Sequence, residues 1–120
     1  MNEIPLKVEI KRIDEVAIIL LAANFYTSNT MAQNLKAALQ EIFKDNQYYI
    51  IANMNGVESI DSEGLGALSY GYKTCIDNGG NFVMCHLDNP DVADVIEIVN
   101  LDQIIPVYTT EEEALKAIKD

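Results

Sequence analysis

The chain has 120 residues, 19 of them acidic and 8 basic, for a net charge of −11. That length suits one domain, spanning residues 1–120, whose core needs no metal or disulfide, and a hydrophobic content of 49% is globular rather than disordered. The acidity excludes nucleic acid as a partner, because phosphates demand a concentrated basic face; a basic protein surface fits better.

Leu6, Val8 and Ile10 alternate with Lys7, Glu9 and Lys11, which predicts a strand with one wet face. Asp14-Glu15 makes a turn, and Val16 to Leu21 reads as a strand buried on both faces. The two form an antiparallel hairpin. Thr27 or Ser28 caps a first helix, with Met31, Leu35, Ala38, Leu39, Ile42 and Phe43 on its apolar face and an end near Asp45-Asn46. Tyr48 to Ala52 is a third strand. A connection from Met54 to Ile60 then leads to Asp61, Ser62 and a second helix. Leu65, Leu68, Tyr72 and Ile76 are its expected apolar residues, and Asn78-Gly79-Gly80 its close.

Phe82 to Cys85 is a fourth strand. Asn89-Pro90 opens a third helix that buries Val92, Val95, Ile96 and Val99. Leu101 to Val107 returns to extended structure around Ile104-Ile105. Thr110 and Glu113 form a capping box for the last helix, with Ala114, Leu115 and Ile118 on its apolar side. The order β-β-α-β-α-β-α-β-α predicts an α/β domain: a short, mostly parallel sheet that starts with an antiparallel hairpin and packs against four helices.

Cys75 and Cys85 lie in apolar stretches and are expected to be buried free thiols, as suits a reducing cytosol. Met1-Asn2-Glu3-Ile4-Pro5 lacks the features of a signal peptide. The longest apolar run, Val16 to Ala23, is too short to span a bilayer, so a cytoplasmic location without a membrane partner is expected. Enzyme apparatus is missing. His86 is the single histidine, no Cys/His set has metal-ligand spacing, and neither a serine elbow nor a phosphate-binding glycine loop is present. Glu111-Glu112-Glu113 reads as a solvated helix start. No catalytic residue, metal or cofactor is expected.

Asp61-Ser62-Glu63-Gly64-Leu65 stands out because it joins a strand-side loop to a helix, where function gathers in parallel sheets. Its plain reading is a helix start, with Asp61 or Ser62 as cap and Glu63 favoured by the helix dipole. Its functional reading is an exposed switch whose free N–H groups welcome negative charge.

The segment Asn53 to Leu68 resembles the signature of the STAS domain family, in which a strand leads to Asp-Ser-Ser-Gly-Leu. Gly79 to Met84, Val99 to Ile105, Thr110 to Leu115 and Tyr26-Thr27-Ser28 are similar to further family patterns in the same order. Within that family the chain resembles the bacterial anti-sigma factor antagonists. The resemblance implies a regulatory protein that works by partner switching: it binds an anti-sigma factor, often a serine kinase of the GHKL type, until phosphorylation of the second serine ends the binding. The implied partner-binding residues are Asp61, Ser62, Glu63, Gly64, Leu65 and, in a neighbouring loop, Asn24, where the family commonly has an acidic residue.

The chain departs from the pattern at the serine itself, since Glu63 occupies that position and cannot be phosphorylated in this cycle. Three readings follow. Glu63 replaces serine at a partner contact, it permanently imitates phosphoserine, or control moves to Ser62. They rank in that order, because glutamate has less charge than a phosphate and lacks its oxygen geometry. Ser62 is placed third as a cap with an occupied hydroxyl. Alternatives outside this scheme are a subunit of another STAS signalling assembly, or a small-ligand-binding α/β protein.

Overall fold

The computed structural model describes residues 8–21 and 29–119. The alternation at the start forms strand β1 (Val8–Ile13), with Val8 and Ile10 half-buried and Glu9 and Lys11 exposed. Asp14, in the left-handed region at φ 55°, turns the chain into β2 (Val16–Leu21). The pair is antiparallel, with Ile10 opposite Ile19. Helix α1 (Asn29–Lys44) buries Leu35, Leu39 and Ile42 completely. Its expected caps, Thr27 and Ser28, lie outside the described residues, as do Leu6 and Asn24.

Strand β3 (Tyr49–Asn53), helix α2 (Ser62–Asp77), strand β4 (Asn81–Cys85), helix α3 (Pro90–Ile98), strand β5 (Val107–Tyr108) and helix α4 (Glu111–Ala117) complete the order. The strands lie β1-β2-β3-β4-β5 across the sheet, parallel after the first hairpin. Crossovers between neighbouring parallel strands turn the same way, which places successive helices on one face. Residues of α1, α2 and α3 accordingly share one core with Ala17, Ile19, Ile50, Ala52, Phe82 and Met84. Ala114 and Ile118, in and just after α4, cover Val16, Ile18, Ile51, Val83 and Cys85 on the other face. The centre of the sheet is thus buried on both sides, as the unbroken apolar runs require. Among the described residues no helix is long and apolar enough to cross a membrane.

Three expectations need correction. On α2 the buried face is Gly64, Ala67, Leu68, Gly71 and Cys75, while Leu65 and Tyr72 are half-buried and Ile76 is 43% exposed. Small residues let α2 lie close to its neighbours: a Cβ on Gly71 would stand 2.7 Å from the Phe82 ring and 3.1 Å from Leu39. On α3 Val92 and Ile96 are buried, but Val95 is half-buried and Val99 is exposed. Between α3 and β5, Leu101–Gln103 is a turn of 3-10 helix rather than strand, introduced by Asn100 at φ 62°. Extended pairing is confined to Val107 and Tyr108.

Both cysteines are free and buried, in different cores on opposite faces of the sheet. Burial pushes the Cys75 thiol up to about 12. Burial, aided by the charges of Glu111 and Asp88, does the same at Cys85. A thiol held protonated is a poor nucleophile. Neither cysteine should therefore take up iodoacetamide in the native protein at mildly alkaline pH, whereas both should after denaturation, as peptide mass spectrometry would show.

Candidate functional site

The helix start at Asp61 is formed by the residues expected. Asp61 is the N-cap, in extended backbone, and its Oδ1 accepts a hydrogen bond from the Gly64 N–H at 3.0 Å. Ser62 is the first helical residue rather than a cap. It is exposed, and among the described residues no hydrogen bond engages its hydroxyl. The capping reason for ranking Ser62 last therefore falls. Glu63 is exposed in the same first turn, where the positive end of the helix dipole favours its charge by about 0.3–1 kcal/mol. Gly64 is buried and Leu65 half-buried, so these two seat the turn on the core while Ser62 and Glu63 face outward.

Glu63 also borders a groove of about 510 Å³ that runs between α1 and α2 with Lys36, Gln40, Gly66 and Tyr70. Gly66 leaves the groove open, since a Cβ there would meet nothing within 4 Å. Tyr70 is 48% exposed and packs edge-on against Phe43, with ring centroids 6.2 Å apart. A rigid aromatic, a carboxylate and a flexible cation around a shallow groove suit protein recognition better than catalysis.

The loop that delivers this turn is fixed at its base. Met54 and Val57 are buried, the Met54 N–H donates to the Cys85 carbonyl at 2.9 Å, and Gly56 turns the chain at φ 90°. Asn53, at the end of β3, is only 6% exposed. Its Oδ1 accepts from the Asn55 N–H at 2.9 Å, and its Nδ2 donates to Glu111 Oε2 at 2.7 Å. Glu111 Oε1 in turn accepts from Lys11 Nζ at 3.0 Å. Glu111 is thus not a plain solvated helix start, as its first carboxylate oxygen ties α4 to β1 and its second to the root of the site loop. Burial works against its ionised form. The hydrogen bonds from Asn53 and Lys11 and the charges of Lys11 and His86 outweigh that and hold its pKa below the ordinary value.

Asn53 and Glu111 escape a reading of local sequence because 58 positions separate them. The one available signal is a polar residue ending an apolar strand. Asn24, the remaining expected contact, lies outside the described residues, so its relation to Glu63 is not part of this geometry. His86 directly follows β4 at φ 54°, with Nδ1 3.4 Å from the Asp88 carboxylate. Among the described residues no group of three or more His, Cys, Asp or Glu side chains is placed to hold a metal ion.

Comparison with known proteins places this arrangement in a family. An anti-sigma F factor antagonist of Paenibacillus polymyxa is 26% identical over 116 residues, covering 95% of this chain and 96% of that protein. The structure of an anti-sigma-factor antagonist (STAS) domain protein from Planctomyces limnophilus superposes with a TM-score of 0.81 at 22% identity, covering 94% of this chain and 98% of that one. An anti-sigma factor antagonist from Mycobacterium paratuberculosis gives 0.80 at 22% identity, covering 95% of this chain and 94% of that one. At this identity the two structures establish a common fold. A family model described as STAS domain matches residues 7–114, a span that runs from the first strand through the Asp61 turn into α4; the chain belongs to the STAS domain family.

Proposed function

We propose that this protein regulates by binding: it acts as an anti-sigma factor antagonist, with Glu63 a fixed contact residue in place of a phosphorylatable serine. The observation that carries the reading is the exposed carboxylate of Glu63 in the first turn of α2, beside the α1–α2 groove; the sequence resemblance aligns this position with the family's phosphorylated serine. Relatives named as antagonists along nearly the whole chain support it. The partner on this reading is an anti-sigma factor of the GHKL serine-kinase type in the cytoplasm, and the chain itself performs no catalysis. Binding is then set by how much protein is made rather than by a phosphate cycle. A single carboxylate has about half the charge of a phosphoserine, so it need not act as one.

Affinity measurements on native protein, Glu63→Ala and Glu63→Ser against the cognate anti-sigma factor test this. If Glu63 is a contact, Glu63→Ala should bind with equal or lower affinity. A gain of roughly tenfold, about 1.4 kcal/mol, would instead make Glu63 a standing imitation of phosphate. Incubation with the kinase and ATP, followed by mass spectrometry, adds a second arm. The native chain should remain unmodified and Glu63→Ser should accept phosphate; stoichiometric phosphate on Ser62 of the native chain would return control to phosphorylation.

A further inference from the structure

Gly66 is exposed in the second turn of α2, and the fold gives no reason for a glycine there. A Cβ at this position would meet nothing within 4 Å among the described residues, and the backbone is not in the left-handed region. Apart from proline, glycine is the least favourable residue inside a helix, so alanine would serve the isolated domain better. Gly71 on the same helix differs, because Phe82 and Leu39 leave no room for a side chain. A glycine that the domain itself does not need suits close approach to the backbone by something from outside.

Glu63, Gly66 and Tyr70 follow one another at helical spacing and form one stripe of α2, and Lys36 and Gln40 line the same groove from α1. Tyr70 is held edge-on by Phe43 while staying half exposed, so it is an aromatic wall already in place. Lys36 and Glu63 are both exposed, and a lysine stem covers apolar surface while its head stays wet. These features select the occupant. A shallow groove does not enclose a small molecule, which needs most of its surface covered. A second copy of a chain of net charge −11 is repelled. An amphipathic helix fits, because it fills such a groove with an apolar anchor and can set a basic residue towards Glu63 and an acidic one towards Lys36. We propose that Gly66 is a specificity-determining residue of the partner surface: a helix of the anti-sigma factor lies along the α1–α2 groove and seats an aliphatic side chain of leucine size on Gly66, against the Tyr70 ring and the Lys36 stem. The proposal rests on the binding role of the Glu63 surface and extends that surface down the groove.

The test separates binding from folding, because the decisive substitutions should stabilise the domain. In thermal unfolding, Gly66→Ala and Gly66→Leu should each raise Tm by roughly 2–4 °C. In calorimetric titrations with the cognate anti-sigma factor, Gly66→Leu should weaken binding by roughly tenfold or more and Gly66→Ala by roughly threefold. Ser69→Leu, exposed on α2 but outside the groove lining, should change affinity by less than about twofold. In NMR of the ¹⁵N-labelled native chain, the anti-sigma factor should shift the backbone signals of Gln40, Gly66 and Tyr70 together with that of Glu63. Unchanged affinity in Gly66→Leu, a loss in Ser69→Leu as large as in Gly66→Leu, or shifts confined to residues 62–65 would overturn the groove and leave the Glu63 reading in place. A lower Tm in Gly66→Leu would also overturn it, by showing that the glycine serves the fold. No binding by the native chain would overturn both.

Discussion

Replacing Gly80 by alanine should lower stability by about 3 kcal/mol, as measured by the denaturant midpoint at constant slope. The cause is contact with backbone rather than lost flexibility. A Cβ on Gly80 would stand 1.9 Å from the Tyr48 carbonyl oxygen and 2.5 Å from its carbon. That same oxygen accepts the Asn81 N–H at 2.9 Å as β4 begins beside β3, so it cannot retreat without opening the sheet. The Gly80 N–H is meanwhile committed to the Cys75 carbonyl at 2.8 Å, which closes α2. The preceding residue provides the contrast. Gly79 has φ 82° with nothing within 4 Å of its would-be Cβ, so Gly79→Ala incurs only the left-handed backbone cost of about 1 kcal/mol. Equal losses at the two positions would refute the steric account.

Asn53→Asp should cost about 3 kcal/mol at neutral pH, because it sets a second, nearly buried carboxylate against Glu111 at the distance of the present 2.7 Å hydrogen bond. The Lys11–Glu111 ion pair cannot compensate: Lys11 is 49% exposed, and such pairs contribute at most about 1 kcal/mol. The dependence on pH distinguishes the two proteins. In the native chain the folded pKa of Glu111 is lowered, so its contribution is complete above the ordinary value of 4.5 and is lost as the pH falls through the folded value. In the variant, acidification relieves the repulsion once either carboxylate takes a proton. The stability gap should therefore narrow towards acid pH in paired denaturation curves, and adding Glu111→Gln should restore most of the loss at pH 7. A gap independent of pH would show that Asn53 matters through packing alone.

Sequence patterning resolved those parts of the fold in which one side-chain property dominates. The apolar run from Val16 to Leu21, the stripe from Leu35 to Ile42, and the caps at Asp61, Asn89 and Thr110 all form as their residue types require. The reading failed where close approach outweighs hydrophobicity. On α2 the large apolar residues Tyr72 and Ile76 drew the eye, yet the glycines and Ala67 let the helix settle onto the core. Leu101 to Ile105 is apolar enough for a strand, but Asn100 in the left-handed region starts a 3-10 turn instead. At the site, the Asp61 turn was legible because a helix start is local. The Asn53–Glu111 tie was not, since only the assembled sheet brings the end of β3 to the first residue of α4.

The division of the two cores also bears on the order in which the chain can fold. Because strands adjacent in sequence are adjacent in the sheet, most pairing is short-range, and a chain emerging from a ribosome can add β3 and then β4 as each is made. The helices between the strands cover one side as synthesis proceeds. The opposite side waits for residues 111–118, which follow all five strands in the chain, leaving Val16, Ile18, Ile51 and Val83 wet until then. A nascent or truncated chain that stops before α4 carries an apolar sheet face open to aggregation, so α4 acts as the lock on biogenesis.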